Sequence, residues 1–395
     1  MTTAIIITLC TLLLIAYVFD LTSSKTKIPA VILLLLLGWL VRQLSDLLAI
    51  AVPDLTPALP VLGTIGLILI VLEGSLELEL NKSKTPLIKK SFIVSLLPML
   101  ALAFGLSYVL QHMGGGTFKD NLTNAIPLCV ISSAIAIPSV KSLQTHHKEF
   151  VIYESSLSDI LGVLFFNFVA LNESIGFDSV GHFVLQLLLI ALISFVATIG
   201  LSLLLSKIDH HIKFAPIVLL VILIYAASKI YHLPGLIFIL LFGLFLGNLD
   251  ELKQFKWIQK LEPVSLNKEV HKFKELVIEG AFLIRALFFL LFGYLIQTAE
   301  IVNTDTLLWS AGITAGIFLL RAIQLKLSGL PLAPLVFIAP RGLITILLFL
   351  SIDAKNNVAL VNRSLIIQVI VLTALVMMFG LMRNKPSAAI PDNTP

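Results

Sequence analysis

The sequence predicts an all-α polytopic membrane protein with about 13 transmembrane helices, arranged as two inverted six-helix repeats with two broken crossover helices at spans 5 and 12. Three observations carry this reading. Apolar runs of about 20 residues, each long enough to cross a bilayer, recur from end to end. Only 13% of the 395 residues are charged and 58% are hydrophobic, with a mean hydropathy of +1.03; a soluble domain carries about 25% charged residues. Finally, six charged side chains, Glu73, Glu154, Asp159, Arg285, Arg321 and Arg341, fall where hydrocarbon should surround them.

Breaks at polar, Pro and Gly clusters divide the chain into spans 4–20, 28–49, 60–79, 90–111, 123–142, 150–171, 181–206, 214–231, 234–249, 276–298, 306–326, 330–352 and 363–383. The first has no basic region before it and no small-residue cleavage site after it, so it reads as a membrane helix and not a signal peptide. The second carries Arg42 and Asp46 at its far end, and the ninth is short. Cys10 and Cys129 sit in apolar helices as small core residues.

The basic residues check the count. Connections after odd-numbered spans, with the C-terminal tail, hold nineteen Lys and Arg; even-numbered connections hold five, and the three intramembrane arginines complete the 27. By the positive-inside rule the N-terminus is outside and the C-terminus cytoplasmic. The net charge of +4 therefore reports orientation and not a nucleic-acid partner. The long connection at about 250–275 is a lysine-rich cytoplasmic linker, in which Phe255, Trp257, Ile258 and Leu261 lie at near-helical spacing suited to a membrane surface.

With an odd span in the middle, spans 1–6 and 8–13 form two halves that enter the membrane from opposite sides, a plan in which discontinuous helices build the substrate site. The fifth member of each half is interrupted. Span 5 has Ser132, Ser133 and Pro138 at membrane depth, and span 12 has Pro331, Pro334 and the Pro340-Arg341-Gly342 triplet. Each proline removes a helical hydrogen bond, and freed carbonyls at that depth must be buried in protein or line a wet cavity.

Span 6 opens with Tyr153-Glu154-Ser155-Ser156-Leu157-Ser158-Asp159. Asp159 lies about 13 Å along that helix, near the bilayer centre, on the face shared with Ser155. Arg321 lies near the cytoplasmic end of span 11, at the depth of Glu154, so the two are expected to form a structural ion pair. Asp159 then has no evident basic partner. Burial penalises its charged form, which suits a group that holds a proton or a cation in turn. Arg341 falls in the break of span 12, where half-helix C-termini favour a cation. Glu73 is a possible accessory acid and Arg285 an anchor for span 10. No nucleophile–base pair, zinc spacing or phosphate loop appears, so the chain reads as a transporter and not an enzyme, with no cofactor.

These residues resemble the monovalent cation:proton antiporter superfamily, the sodium/proton exchangers, over nearly the whole chain. Glu154-Ser155 through Ser158-Asp159 is similar to their Glu-Ser-x-x-Asn-Asp motif, and Val71-Leu72-Glu73-Gly74 to their Phe-Glu-Gly/Ala stretch. Ser132 to Pro138 resembles the broken helix, Ala286 to Gly293 with Phe288-Phe289 the Phe-Phe-x-x-x-Gly helix, and Pro340-Arg341-Gly342 the Arg-Gly motif. Arg321 matches the base that pairs with the motif glutamate.

The resemblance implies a secondary antiporter in a bacterial cell (inner) membrane, exchanging Na⁺ or Li⁺ for H⁺ at a site of Asp159, Ser155, Ser158 and Ser133. It further implies a homodimer in the lipid bilayer and elevator-like motion, with core helices at about 90–171 and 306–383 and scaffold helices at about 4–79 and 181–298. Two departures bear on mechanism. Ser158 stands where the family has Asn or Asp, and no acid occurs between Ala125 and Val140. A single motif aspartate implies electroneutral one-for-one exchange and leaves K⁺/H⁺ antiport as the alternative, with a gated cation channel as the reading from another class.

Overall fold

In the computed structural model the chain is described at residues 2–50, 52–114, 116–141, 143–172, 177–207, 213–252 and 263–383. The surface-helix expectation at Phe255 to Leu261 lies outside these residues. The described residues hold helices and no strand. The helices are α1 (Thr2–Thr26), α2 (Ala30–Leu47), α3 (Ala58–Glu77), α4 (Thr85–Gly114), α5 (Phe118–Ala125), α6 (Ser133–Ser139), α7 (Thr145–Leu171), α8 (Phe177–Lys207), α9 (Phe214–Ile230), α10 (Leu236–Gly247), α11 (Pro263–Leu295), α12 (Thr304–Leu327), α13 (Leu343–Leu350) and α14 (Arg363–Arg383), with short turns between. Among the described residues, nine stretches are long and apolar enough to cross a membrane by length and composition, and α9 and α10 are shorter apolar helices.

Span 5 is the pair α5–α6. A 3-10 turn at Ile126–Leu128 follows α5, and an extended run leads to α6. Span 12 has a 3-10 turn at Leu335–Phe337, an extended run, and α13. The interruption of span 12 falls among its prolines, whereas that of span 5 ends at Ser132 and leaves Pro138 inside α6, so the hydroxyl and not that proline marks the break. The tenth span differs in length: α11 starts at Pro263, so the later part of the 250–275 connection is already helix.

Packing is tightest where two backbones touch. At the α2–α11 crossing, a Cβ on Gly38 would stand 2.7 Å from the Tyr294 nitrogen, and one on Gly293 would be 2.9 Å from the Leu35 backbone. Each helix lays a glycine against the other's main chain, because any side chain there would force the pair apart.

A three-residue strap, Leu78 to Leu80, joins α3 to the helices that follow. The Asn248 carboxamide, at the end of α10, donates to the Leu78 carbonyl (2.8 Å) and accepts from the Leu80 N–H (2.5 Å). The Tyr153 hydroxyl of α7 accepts from the Glu79 N–H (3.0 Å) and donates to its carbonyl (2.6 Å). Lys84 adds ion pairs to Glu79 (2.5 Å) and Glu149 (3.0 Å). Four backbone groups of this strap, the Leu78 and Glu79 carbonyls and the Glu79 and Leu80 N–H groups, thus have partners from α7 or α10, which holds the end of α3 beside the helix that carries Asp159.

Overpacking a close contact costs about 1–3 kcal/mol. Gly293→Ala is expected to lower thermal stability in detergent by that order, while the same change at Gly312, which has nothing within 4 Å of its Cβ position, should be neutral or stabilising. Melting curves of the two purified variants check this.

Candidate functional site

The site lies where the two interrupted spans cross beside α7. The Ser132 N–H donates to the Pro340 carbonyl at 2.9 Å, so one extended run is hydrogen-bonded directly to the other. Neighbouring amides turn to α7: the Ile131 N–H donates to Ser158 Oγ (2.9 Å) and the Ser133 N–H to Asp159 Oδ2 (3.3 Å). Ser133 Oγ also donates to Asp159 Oδ2 in a short bond. Three successive backbone N–H groups thus find partners off their own helix.

Asp159 is 1% exposed. Its Oδ2 is held by Ser133, while its Oδ1 has no hydrogen-bond partner. Ser155 shares its face but donates to the Val151 carbonyl at 2.7 Å, so its hydrogen is committed to its own helix. Ser158 is buried, and its oxygen accepts from the crossover backbone. The structure therefore brings Ser133 directly to Asp159 and gives Ser155 and Ser158 backbone partners. Ser132 Oγ, at the start of α6, has no partner, nor does Thr345 Oγ1 of α13.

Glu154 and Arg321 meet, as matching depth and opposite sign lead one to expect. Arg321 donates from both terminal nitrogens to the two carboxylate oxygens, at 2.6 and 2.9 Å, and both residues are buried. Arg321 Nε donates in addition to the Leu335 carbonyl at 2.7 Å. The guanidinium thus closes on a carboxylate and on a carbonyl of the 3-10 turn in span 12, which also accepts from the Ile338 N–H at 3.1 Å.

Arg341 does similar work in the crossover. Its Nε donates to the Leu128 carbonyl (2.7 Å) and its Nη1 to the Ala339 carbonyl (3.0 Å), while its backbone N–H donates to Thr373 Oγ1 (3.1 Å). Gly342 caps α13 next to it. Pro138 lies inside α6. Glu73 is half-buried on α3, where the charges of Arg285, Glu77, Lys141 and Asp20 act on it. Arg285 lines a small crevice with Asp20, Ile135 and Pro138.

Access to this region is uneven. At the end of the bundle where Lys229 and Asp353 lie, a cavity of about 560 Å³ has Leu67 of α3 and Val163 of α7 among its lining residues. Val163 is one helical turn from Asp159. At the opposite end, the Asp20–Arg285 crevice holds about 10 Å³, roughly room for one water.

Comparison with known proteins decides the family. The family model described as sodium/hydrogen exchanger, transmembrane, matches residues 9–383. The chain belongs to the sodium/hydrogen exchanger family. No curated protein matches its sequence. A solved structure of the sodium proton antiporter MjNhaP1 from Methanocaldococcus jannaschii at pH 8 shares its fold, with a TM-score of 0.70 at 17% identity over 96% of this chain and 99% of the other. An electron-microscopy structure of the same antiporter gives a TM-score of 0.64 at 20% identity over 98% and 100%. This exchanger-family chain is thus an integral multi-pass membrane protein, and its family supports cation/proton antiport.

Reading the sequence alone missed Thr373 and the Leu128, Leu335 and Pro340 carbonyls. A helical threonine carries no distinguishing signal, and main-chain acceptors carry none.

Removing one partner of a buried ion pair leaves an uncompensated charge and costs about 3–5 kcal/mol. Glu154→Ala and Arg321→Ala should each lower thermal stability in detergent by that order, with the double variant falling well short of the sum. Additive losses in this cycle would contradict the contact.

Proposed function

We propose that the protein is a secondary antiporter that exchanges Na⁺ for H⁺ at Asp159. The supporting observation is that carboxylate itself: buried, one oxygen fixed by Ser133, the other unpartnered, at the crossing of two broken helices. A carboxylate desolvated in this way is best satisfied by a proton or by a small hard cation, and one site that must hold one or the other couples their movements.

The transport cycle follows from charge. With either ion bound, Asp159 is neutral and the helices that carry it can shift relative to their neighbours. Empty, it places a bare charge at bilayer depth, which costs roughly 2.5–3.5 kcal/mol on insertion scales and opposes the shift. The Glu154–Arg321 pair carries no net charge and adds no such barrier. The motion is elevator-like: residues 90–171 and 306–383 form the moving core, and residues 4–79 and 181–298 the scaffold of a homodimer. The large cavity above Val163 is the outer funnel, since the lysine-rich connections mark the other end as cytoplasmic. K⁺ in place of Na⁺ is the alternative, and relative flux of the two ions separates them.

Asp159→Asn is expected to give a folded, membrane-inserted protein without cation-driven proton flux in proteoliposomes. Flux at the wild-type rate in this variant would sink the proposal.

Because one carboxylate carries either ion, exchange should move no net charge. Proton flux driven by Na⁺ should then be independent of a membrane potential set with potassium and valinomycin. If two charges moved against one, each 100 mV would bias the step by about 2.3 kcal/mol, an effect readily seen. Strong voltage dependence in the unmodified protein would refute one-for-one exchange.

A further inference from the structure

Among the described residues, three serines inside helices, Ser91, Ser156 and Ser202, have a buried Oγ without a hydrogen-bond partner, and of these Ser156 is the one on α7 with Asp159. A serine inside a helix commonly donates back to the carbonyl four residues earlier. Ser155 does so to Val151 (2.7 Å), Ser228 to Ile224 (2.7 Å) and Ser351 to Leu347 (2.7 Å). Ser156 is 7% exposed, and its Oγ has no hydrogen-bond partner. A buried hydroxyl left unpaired in a native fold calls for an explanation, of which an ion is one.

The position supplies that explanation. On α7, Ser156 and Asp159 are three residues apart, hence neighbours on one face. At about 100° per residue, the order around the helix is Ser158, Ser155, Asp159, then Ser156. Ser158 faces the Ile131 amide of the crossover, and Ser156 faces α3, where Gly74 lies. Asp159 is between them, with Oδ2 turned to Ser133 and Oδ1 unpartnered. The two residues that carry unpartnered oxygens are thus neighbours on α7, and Ser156 meets α3 at Gly74. A Cβ on Gly74 would fall 2.9 Å from Ser156 Oγ, so the glycine leaves the hydroxyl room. Next to it is Glu73, half-buried.

We propose that Ser156 Oγ is a ligand of the transported cation, which it holds together with Asp159 Oδ1 between α7 and Gly74 of α3. A neutral hydroxyl beside a carboxylate is a hard-oxygen donor set suited to an alkali cation, and it contributes nothing to binding a proton. Ser156 therefore tunes cation affinity, whereas Asp159 serves both ions. The inference rests on antiport at Asp159.

The test uses the full-length protein in proteoliposomes. Ser156→Ala should raise the KM for Na⁺ about tenfold and lower the maximal rate by much less. In Na⁺-free detergent its melting temperature should equal or exceed that of the wild type, because no hydrogen bond is lost, while the upward shift on adding Na⁺ should shrink. Ser156→Cys keeps the volume and exchanges a hard donor for a soft one, so it should lose Na⁺ affinity and retain that for Tl⁺. Gly74→Ala should raise the Na⁺ KM by crowding the hydroxyl. An unchanged Na⁺ KM in a folded Ser156→Ala variant, with normal flux in the wild type, overturns this role alone. A drop in Na⁺-free melting temperature with an unchanged Na⁺-induced shift would make Ser156 structural and also overturn it. Absence of cation-driven flux in the unmodified protein overturns both this inference and the antiport it rests on.

Discussion

Two helices broken at membrane depth leave backbone groups that no water is there to satisfy, and the arrangement of the centre follows from how those groups find partners. In the hydrocarbon region each unpaired amide or carbonyl costs several kcal/mol. The Ile131, Ser132 and Ser133 amides are met by Ser158, the Pro340 carbonyl and Asp159. The Leu128 and Ala339 carbonyls are met by Arg341, and Leu335 by Arg321. The polar side chains that define the site are thus the same ones that permit the helices to be interrupted. Site and fold are not separable here.

This dual duty explains why the buried charges differ in character. Arg321 is held by the Glu154 carboxylate and a carbonyl, and Arg341 by two carbonyls. Both are cations anchored in the fold. A buried ion pair is weak evidence for net stability, since desolvation offsets much of its attraction. Its effect is positional: it ties α7 to α12 and to the break in span 12. Asp159 differs because half of its acceptor capacity is left over. A carboxylate with one oxygen fixed and one unused has a defined orientation and an unmet need, and those are the two properties that ion exchange requires.

The surroundings of α7 are asymmetric in the same sense. Towards its start, Tyr153 and Asn248 hold the strap after α3 by four hydrogen bonds. Towards its end, Val163 and Phe166 line an open cavity. The helix that bears Asp159 is therefore tied to the strap at its start and lines a cavity from Val163 onward.

The all-helical membrane class, the presence of a break in each of spans 5 and 12, the meeting of Glu154 with Arg321, and Asp159 as the acid without a basic partner can be read from the chain of residues alone. These were legible because they depend on local properties: hydropathy over a helix length, proline's missing donor, and the depth of a charge along its own helix. Only the tertiary structure decided which hydroxyl reaches which group. Ser133 and not Ser155 holds Asp159, Ser158 serves a backbone amide, Thr373 supports Arg341, and Ser156 is left facing Gly74. Each of these turns on the angle and approach of two elements distant in the chain, and on main-chain acceptors that every residue possesses. A sequence records which side chains are present at a given depth; which of them meet is fixed only when packing sets the helices' relative rotation.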